Sequence, residues 1–175
     1  MSMLHTLGWS RRHHLRNPEL APWPSAASVD SAEGDVRIAG ESLVGMADAA
    51  GTPCTRVCEA AVGSWSAAVG ERYCGVVVTA VEAVVPAVGG MSGAEVWIDA
   101  ELDGCEPLEE TMRMIGRVSQ AAPARFVVRP SRRSGEVRAS LAGDLRAGDL
   151  IAFVAARPVA LHDIRRRTRH HERLL

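Results

Sequence analysis

Residues 41–51 read ESLVGMADAAG, and the spacing of their apolar side chains predicts a helix over this stretch. The side chains that share one broad apolar stripe are Leu43, Val44, Met46, Ala47 and Ala50. Thr52-Pro53 is typical of a helix start, with threonine as N-cap and proline at the first helical position. Apolar residues at helical spacing continue over 53–69. We therefore expect one long or kinked central helix that is buried over most of its surface.

Strand patterns follow this helix along the chain. Val76–Val85 is an almost continuous β-branched run, which indicates a strand buried on both faces. Ala94–Leu102 alternates apolar and polar residues, as a half-exposed antiparallel strand does. Further predictions are a short helix at Pro107–Ser119 and strands at Arg125–Arg129, Glu136–Leu141 and Leu150–Ala156. This order predicts an α+β fold in which a single antiparallel β-sheet is wrapped around the central buried helix.

Length and composition restrict the class of protein. The chain has 175 residues, 47% hydrophobic and 23% charged, which is enough for one globular domain with tails. Its formal net charge of −1 excludes a bulk polycation that coats nucleic acid. All 20 basic residues are arginine, which excludes enzymes that need a lysine Schiff base or a Walker-type phosphate loop. Arginine in place of lysine, with abundant alanine, valine and glycine, also indicates a bacterial, GC-rich genome.

The chain divides into three predicted segments. We expect an irregular N-terminal segment over 1–34, a domain over 35–163 with an insertion at 105–123, and an arginine-rich tail over 164–175. No run of about 18 apolar residues is present, so no membrane-spanning helix is expected. Basic residues follow the first ten residues rather than preceding an apolar run, which is the reverse of a secretory signal. We therefore expect a cytoplasmic protein that has no membrane partner.

The first predicted helix and the turn before it resemble hotdog-fold thioesterases of the phenylacetate-pathway type. Those enzymes carry a His-Gly-Gly turn, an apolar helix start and then Leu-Ala-Asp-Thr-Ala. The residues that match this pattern in register are Gly40, Ala47, Asp48 and Ala50. The family's histidine is replaced by Ala39 here, and its second glycine by Glu41. The resemblance extends to the strands that follow and implies a hotdog-like fold.

This resemblance implies hydrolysis of an acyl thioester of coenzyme A or of an acyl carrier protein, by a homodimer and without a cofactor. Asp48 would be the carboxylate that attacks the thioester or activates water. The residues that would bind substrate at the helix start, where backbone N–H groups can stabilise an oxyanion, are Gly40, Glu41 and Ser42. The candidates, by charge alone, for holding the phosphates of coenzyme A are Arg129, Arg132 and Arg133. Dehydration of a 3-hydroxyacyl group is a variant within this class.

Two other classes of function stay open. The replaced histidine and glycine favour a non-catalytic hotdog-like protein that holds a small ligand or a partner protein. The tail at 164–175 favours an adaptor for RNA or a carrier protein, although the balanced net charge weighs against nucleic acid. The structural interpretation of Asp48 is an acid at the exposed edge of a helix. The structural interpretation of Glu41 is an acid that the helix dipole favours.

The cysteines, histidines and clustered acids have spacings that favour structural roles over metal binding. Cys54 and Cys58 are about one helical turn apart and are expected on a buried helix face, while Cys74 and Cys105 are isolated. Neither pair of adjacent histidines has the spacing of a zinc motif. The acidic residues of 95–110 are typical of a solvated strand face. The sequence therefore predicts no metal site.

Overall fold

A computed structural model describes residues 23–61, 72–87, 93–102, 105–130 and 136–165. Over these ranges the chain is mostly β-sheet with few helices, which makes it an α+β protein. The helices are α1 (Leu43–Ala50) and α2 (Leu161–Ile164), with a 3₁₀ turn at Glu109–Thr111. The strands are β1 (Ala27–Asp30), β2 (Asp35–Ile38), β3 (Glu41–Ser42), β4 (Cys54–Glu59), β5 (Tyr73–Val85), β6 (Ala94–Ile98), β7 (Arg113–Ile115), β8 (Pro123–Pro130), β9 (Val137–Ala142) and β10 (Leu150–Ala155).

The larger of two sheets has seven strands and nearly closes on itself. Six strands follow the order β7-β10-β5-β6-β8-β9, and β4 pairs with the first half of β5. β9 at one end of this order lies against β7 at the other end. The inner face of the curled sheet is filled by apolar side chains, among them Val77, Val128, Leu141, Ile151 and Phe153. The sheet therefore encloses a core made of its own side chains.

β5 and β10 lie in the middle of the molecule and are buried on both faces. Val77 and Phe153 point into the enclosed core, whereas Val76 and Val154 belong to a second core on the opposite face. All four side chains are fully buried. The almost continuous apolar runs of these strands follow from this double burial. The prediction that Val76–Val85 is buried on both faces is confirmed for its first half.

The second core lies under the N-terminal part of the chain. The sheet β1-β2-β3 and helix α1 bring Trp23, Val36 and Leu43 against the outward side chains of β5 and β10. Trp23 and Leu43 are each 1% exposed. Two layers of apolar side chains, one on each face of β5 and β10, therefore hold the fold together.

The prediction of a long central helix is wrong. Cys54–Glu59, expected within its second half, forms strand β4 paired with β5. A spacing of four residues places Cys54 and Cys58 on one side of a helix, but also on one face of a strand, so the pattern was ambiguous. The first half is a helix, α1, but its buried residues are Leu43 and Ala47 while Asp48, Ala49 and Ala50 are exposed. The described residues hold no helix enclosed by the sheet.

Three other expectations also need correction. The single antiparallel sheet is instead two sheets, and β6 pairs with β8 in parallel. The helix expected at Pro107–Ser119 is a 3₁₀ turn followed by β7, because Arg113, Met114 and Ile115 pair as a strand with β10. The expected irregular segment 1–34 contains β1, while residues 1–22 lie outside the described part of the chain.

The strand predictions for the C-terminal half are confirmed. β8 and β9 form the predicted hairpin, and β10 lies where an apolar strand was expected. β6 is shorter than its predicted counterpart, because it ends at Ile98 rather than Leu102. Among the tail residues 164–175, Ile164 and Arg165 are described, and Arg165 bridges to Ala100. Within the described residues, no helix has the length and apolar run needed to cross a membrane.

Candidate functional site

The predicted catalytic residue Asp48 lies on the exposed side of α1. No described side chain forms a hydrogen bond or an ion pair with it, and it belongs to the last turn of an eight-residue helix. Two backbone N–H groups at the start of α1 are engaged within the chain. Ser42 Oγ accepts from the Gly45 N–H at 2.8 Å, and Asp35 Oδ1 accepts from the Val44 N–H at 3.2 Å. Side chains of the chain itself therefore satisfy these two backbone donors at the helix start.

The other residues predicted at the helix start have ordinary structural surroundings. Gly40 has a φ of 84° in the turn between β2 and β3, a conformation that glycine adopts without strain. Glu41 forms an ion pair with Arg56 of β4. This pair joins the small sheet to the edge of the large one. Gly40, Glu41 and Ser42 lie in or beside β3, directly before helix α1, which carries Asp48, while Arg129 lies on β8 in the larger sheet.

A partly buried ion-pair network joins the ends of β7 and β10. Arg117 donates to both carboxylate oxygens of Asp149, at 2.9 and 2.7 Å, and to Asp144 Oδ2 at 2.8 Å. Ser119 Oγ donates to Asp144 Oδ1 at 2.6 Å, and the Arg146 N–H donates to Asp149 Oδ2 at 2.9 Å. Each of these charged groups forms hydrogen bonds with other members of the network. The network therefore holds the fold together and leaves no base or nucleophile free for chemistry.

The charges of this network stabilise one another. Hydrogen bonds from Arg117 and Ser119 hold the pKa of Asp144 below its usual range. Burial acts to raise the pKa of Asp149, but hydrogen bonds from Arg117 and from the Arg146 backbone outweigh burial, so that pKa also lies below its usual range. The same contacts raise the pKa of Arg117. All three groups are therefore ionised at neutral pH.

The outer face of the β8–β9 hairpin carries a different kind of cluster. Alternation along β8 sends Phe126 and Val128 into the core and turns their neighbours outward. Alternation along β9 does the same for Val137, Ala139 and Leu141. We call the outward side chains Arg125, Val127, Arg129 and Arg138 the arginine face. Arg138 lies directly opposite Val127, and Arg125 lies opposite Ser140, two positions along from Arg138.

Arg125 and Arg138 differ from most other arginines of the structure. Both are exposed, and no acidic side chain in the described ranges forms an ion pair with either. The arginines that do pair with an acid are Arg37, Arg56, Arg72, Arg117, Arg129, Arg146 and Arg157. Diagonal neighbours across a strand pair are about 7–8 Å apart, so two uncompensated positive charges lie side by side here.

Arg129 and Trp97 extend the arginine face onto β6. They are register partners in the parallel pair β6–β8, and both are half-buried. Arg129 pairs with Glu95 at 3.2 Å and with Glu136 at 3.1 Å. The Trp97 Nε1–H and the Arg129 Nε–H are nevertheless buried donors without an acceptor among the described residues. Unmet donors of this kind are rare in folded proteins.

Of the residues on this face, the sequence prediction named Arg129 alone, as a candidate for holding the phosphates of coenzyme A. Arg129 was selected by charge, and the structure places it between two glutamates; Arg132 and Arg133 lie outside the described residues. Arg125 and Arg138 were missed. The signal that could have found them is the alternation of β8 and β9, which puts these two arginines on the face opposite the core. Within the described ranges, no group of three metal-binding side chains is present.

Comparison with known proteins does not assign the chain to a family. No protein-family model matches it, and no curated protein matches it either. Two crystal structures of the Paramecium bursaria Chlorella virus arginine decarboxylase, one bound to agmatine, are similar to 53% of this chain, with a TM-score of 0.37 and 14% sequence identity. The similar region covers 28% of the decarboxylase chain. A likeness at this level identifies neither the fold nor the activity of the present protein.

Proposed function

We propose that this protein is a binding module that receives an acidic segment of a partner protein on its arginine face. The observation that carries the proposal is the adjacency of Arg125 and Arg138, both exposed and both without an acidic partner among the described residues. Most other arginines in the described ranges have such a partner. The proposal corresponds to the non-catalytic alternative that the sequence left open.

Electrostatics favours an anion at this position. Two unit charges about 7.5 Å apart in water repel each other by about 0.5 kcal/mol. A carboxylate placed between them removes this repulsion and adds two attractive contacts, each of which contributes up to about 1 kcal/mol at an exposed site. Arginine also offers a planar fork of donors that matches a carboxylate.

A short acidic peptide segment fits the arginine face better than a nucleic acid does. The face also presents Glu95 and Glu136, which would repel a continuous phosphate backbone. Val127 lies directly opposite Arg138 and two residues along β8 from Arg125, and Trp97 lies one strand further on. A peptide can place a carboxylate on the arginines and an apolar side chain on Val127. The net charge of −1 also gives the whole protein no general attraction for polyanions.

A titration against defined probes tests this proposal. The probes are a fluorescein-labelled peptide rich in glutamate and leucine, the same peptide with lysine in place of glutamate, and labelled oligo-dT. Fluorescence anisotropy is followed at low salt and again at physiological salt. We expect binding of the acidic peptide alone, weakened by salt because exposed charges are screened. Equal binding of both peptides, or tighter binding of oligo-dT, would contradict the proposal.

Thioester hydrolysis by a homodimer is the second candidate, and the motif match at Gly40, Ala47, Asp48 and Ala50 favours it. The candidate rests on this sequence motif and on the exposure of Asp48, which leaves the carboxylate accessible to a substrate. The test is hydrolysis of short, branched and aromatic acyl-CoA thioesters by the wild type and by Asp48→Asn. Activity that disappears in folded Asp48→Asn protein would establish this function. Absence of turnover on every substrate, including acyl carrier protein, would remove it.

A further inference from the structure

Cys58 and Cys74 lie directly opposite each other on neighbouring antiparallel strands, β4 and β5. Cys58 is 8% exposed and Cys74 is fully buried, and both thiols are free. Two positions further along the ladder, beyond the pair Glu59–Tyr73, the Ala60 N–H donates to the Arg72 carbonyl at 3.0 Å. Because hydrogen-bonded pairs alternate with non-hydrogen-bonded ones, Cys58 and Cys74 form a hydrogen-bonded pair. Opposite residues of that kind have Cα atoms about 5.5 Å apart, which is within the range of about 4.4–6.8 Å seen in disulfides.

The two thiols differ in how readily each one ionises. Burial, together with the neighbouring Cys58, raises the pKa of Cys74 to about 12. Burial also raises the pKa of Cys58, but the Arg56 guanidinium offsets part of that increase. Cys58 keeps 8% exposure whereas Cys74 has none, so Cys58 is the more accessible of the two thiols. Cys58 is therefore the thiol that an oxidant in solution reaches and that reacts first.

We propose that Cys58 and Cys74 are a modification site at which a peroxide oxidises the two thiols to a disulfide. The Cys58 thiol loses its proton, and the thiolate attacks one oxygen of hydrogen peroxide. The O–O bond breaks, Cys58 becomes a sulfenic acid, and the other oxygen leaves as hydroxide, which takes up the proton lost by Cys58 and becomes water. The Cys74 sulfur then attacks Cys58 Sγ, the S–O bond breaks, and the S–S bond forms. The hydroxide that leaves takes the Cys74 proton and departs as a second water. Two thiols and one peroxide thus give one disulfide and two waters.

The disulfide would attach the edge strand β4 covalently to the large sheet. β4 joins the large sheet through β5, and its outer face carries Val57, which is 54% exposed. A covalent bond between β4 and β5 removes the freedom of β4 to separate from the sheet, and closes the chain between Cys58 and Cys74. Oxidation would therefore hold β4 against β5 by a covalent bond until a reductant breaks it.

The chain supplies its own matched controls. Cys54 lies on the same strand and is as buried as Cys58, but its register partner is Val78, so it has no thiol opposite. Cys105 is fully buried in the other core. Cys54 and Cys105 are as little exposed as the proposed pair, but neither has another cysteine as its register partner. A reaction that depended on burial or on general oxidation alone would affect them equally.

The test is oxidation of the folded full chain by excess hydrogen peroxide, then denaturation, alkylation of the remaining thiols and peptide mapping without reduction. We expect one bridge, Cys58–Cys74, in the wild type and in Cys54→Ala, with a loss of two mass units. We expect no bridge in Cys58→Ala or Cys74→Ala. The melting temperature of the oxidised wild type should rise by about 5–10 °C and return to its original value after treatment with dithiothreitol.

Three outcomes would overturn the proposal, and all are measured on the wild type, so a variant that fails to fold does not affect them. The first is recovery of Cys58 and Cys74 as alkylated thiols after exposed methionines have been oxidised. The second is a bridge that involves Cys54 or Cys105. The third is a Cys58–Cys74 bridge that forms only when denaturant is present during oxidation. None of these measurements involves binding at the arginine face.

Discussion

Arg117 donates hydrogen bonds to both carboxylate oxygens of Asp149, at 2.9 and 2.7 Å. Arg117 follows β7, and Asp149 immediately precedes β10, so this bidentate pair fixes two neighbouring strands at the same end. Asp149 is 8% exposed, and such a carboxylate needs its partner because an unpaired charge in the interior is costly. The pair stabilises the sheet rather than serving as a reactive site.

Replacing Arg117 by glutamine removes the cation and leaves the Asp149 carboxylate without a charged partner. We expect the free energy of unfolding at pH 7 to fall by about 2 kcal/mol, the size typical of a charged hydrogen-bonded pair. The control is Arg146→Gln, because Arg146 is an exposed partner of Asp149 at 3.8 Å and should change stability by less than about 0.5 kcal/mol. Urea denaturation measures both values. Equal effects of the two changes would contradict this role of Arg117.

The same network predicts how stability depends on pH. The folded pKa values of Asp144 and Asp149 lie below their usual range. These carboxylates therefore stabilise the fold above the unfolded value of about 3.9, and their contribution is lost as pH falls through the folded values. The stability difference between wild type and Arg117→Gln should be largest near pH 7 and should shrink below about pH 4. A difference that stays constant down to pH 3 would show that the charges are not its source.

Gly34 is predicted to tolerate no side chain. Its φ is +67°, and a Cβ atom there would lie 2.3 Å from the Arg117 carbonyl oxygen. Gly148 has a similar φ of +89°, but a Cβ atom there would meet nothing within 4 Å. A substitution at Gly148 therefore measures the cost of backbone strain without a steric clash. Gly148→Ala should cost about 1 kcal/mol from backbone strain, whereas Gly34→Ala should cost clearly more. Thermal unfolding of both variants measures the difference, and equal melting temperatures would refute it.

Sequence patterns predicted the strands better than they predicted the helices. β5, β8, β9 and β10 were found because their β-branched runs and alternation are strong local signals. The second half of the predicted central helix failed at Cys54 and Cys58, whose spacing fits a strand as well as a helix. Pairing with β5 selects the strand over the helix, and this long-range contact cannot be read from the local spacing of residues.

The candidate site was less predictable than the fold. Arg129 could be selected by its charge, but its pairing with Glu95 and Glu136 depends on three strands meeting in a particular register. The parallel pair β6–β8 that brings Trp97 beside Arg129 is a non-local contact, and the predicted all-antiparallel sheet excluded it. Likewise, the absence of an acidic partner for Arg125 and Arg138 among the described residues became visible only once the outer face was assembled.

The measurement that tests the central claim most directly compares two double variants with the same net charge. Arg125→Gln/Arg138→Gln removes the two arginines of the arginine face that have no acidic partner among the described residues, and Arg72→Gln/Arg146→Gln removes two arginines elsewhere that are 77% and 75% exposed. Each is titrated against the labelled acidic peptide at low salt. We predict that the first pair weakens binding about tenfold or more, equivalent to about 1.4 kcal/mol, and that the second leaves it within about twofold. Equal weakening by both pairs would contradict a binding site on the arginine face.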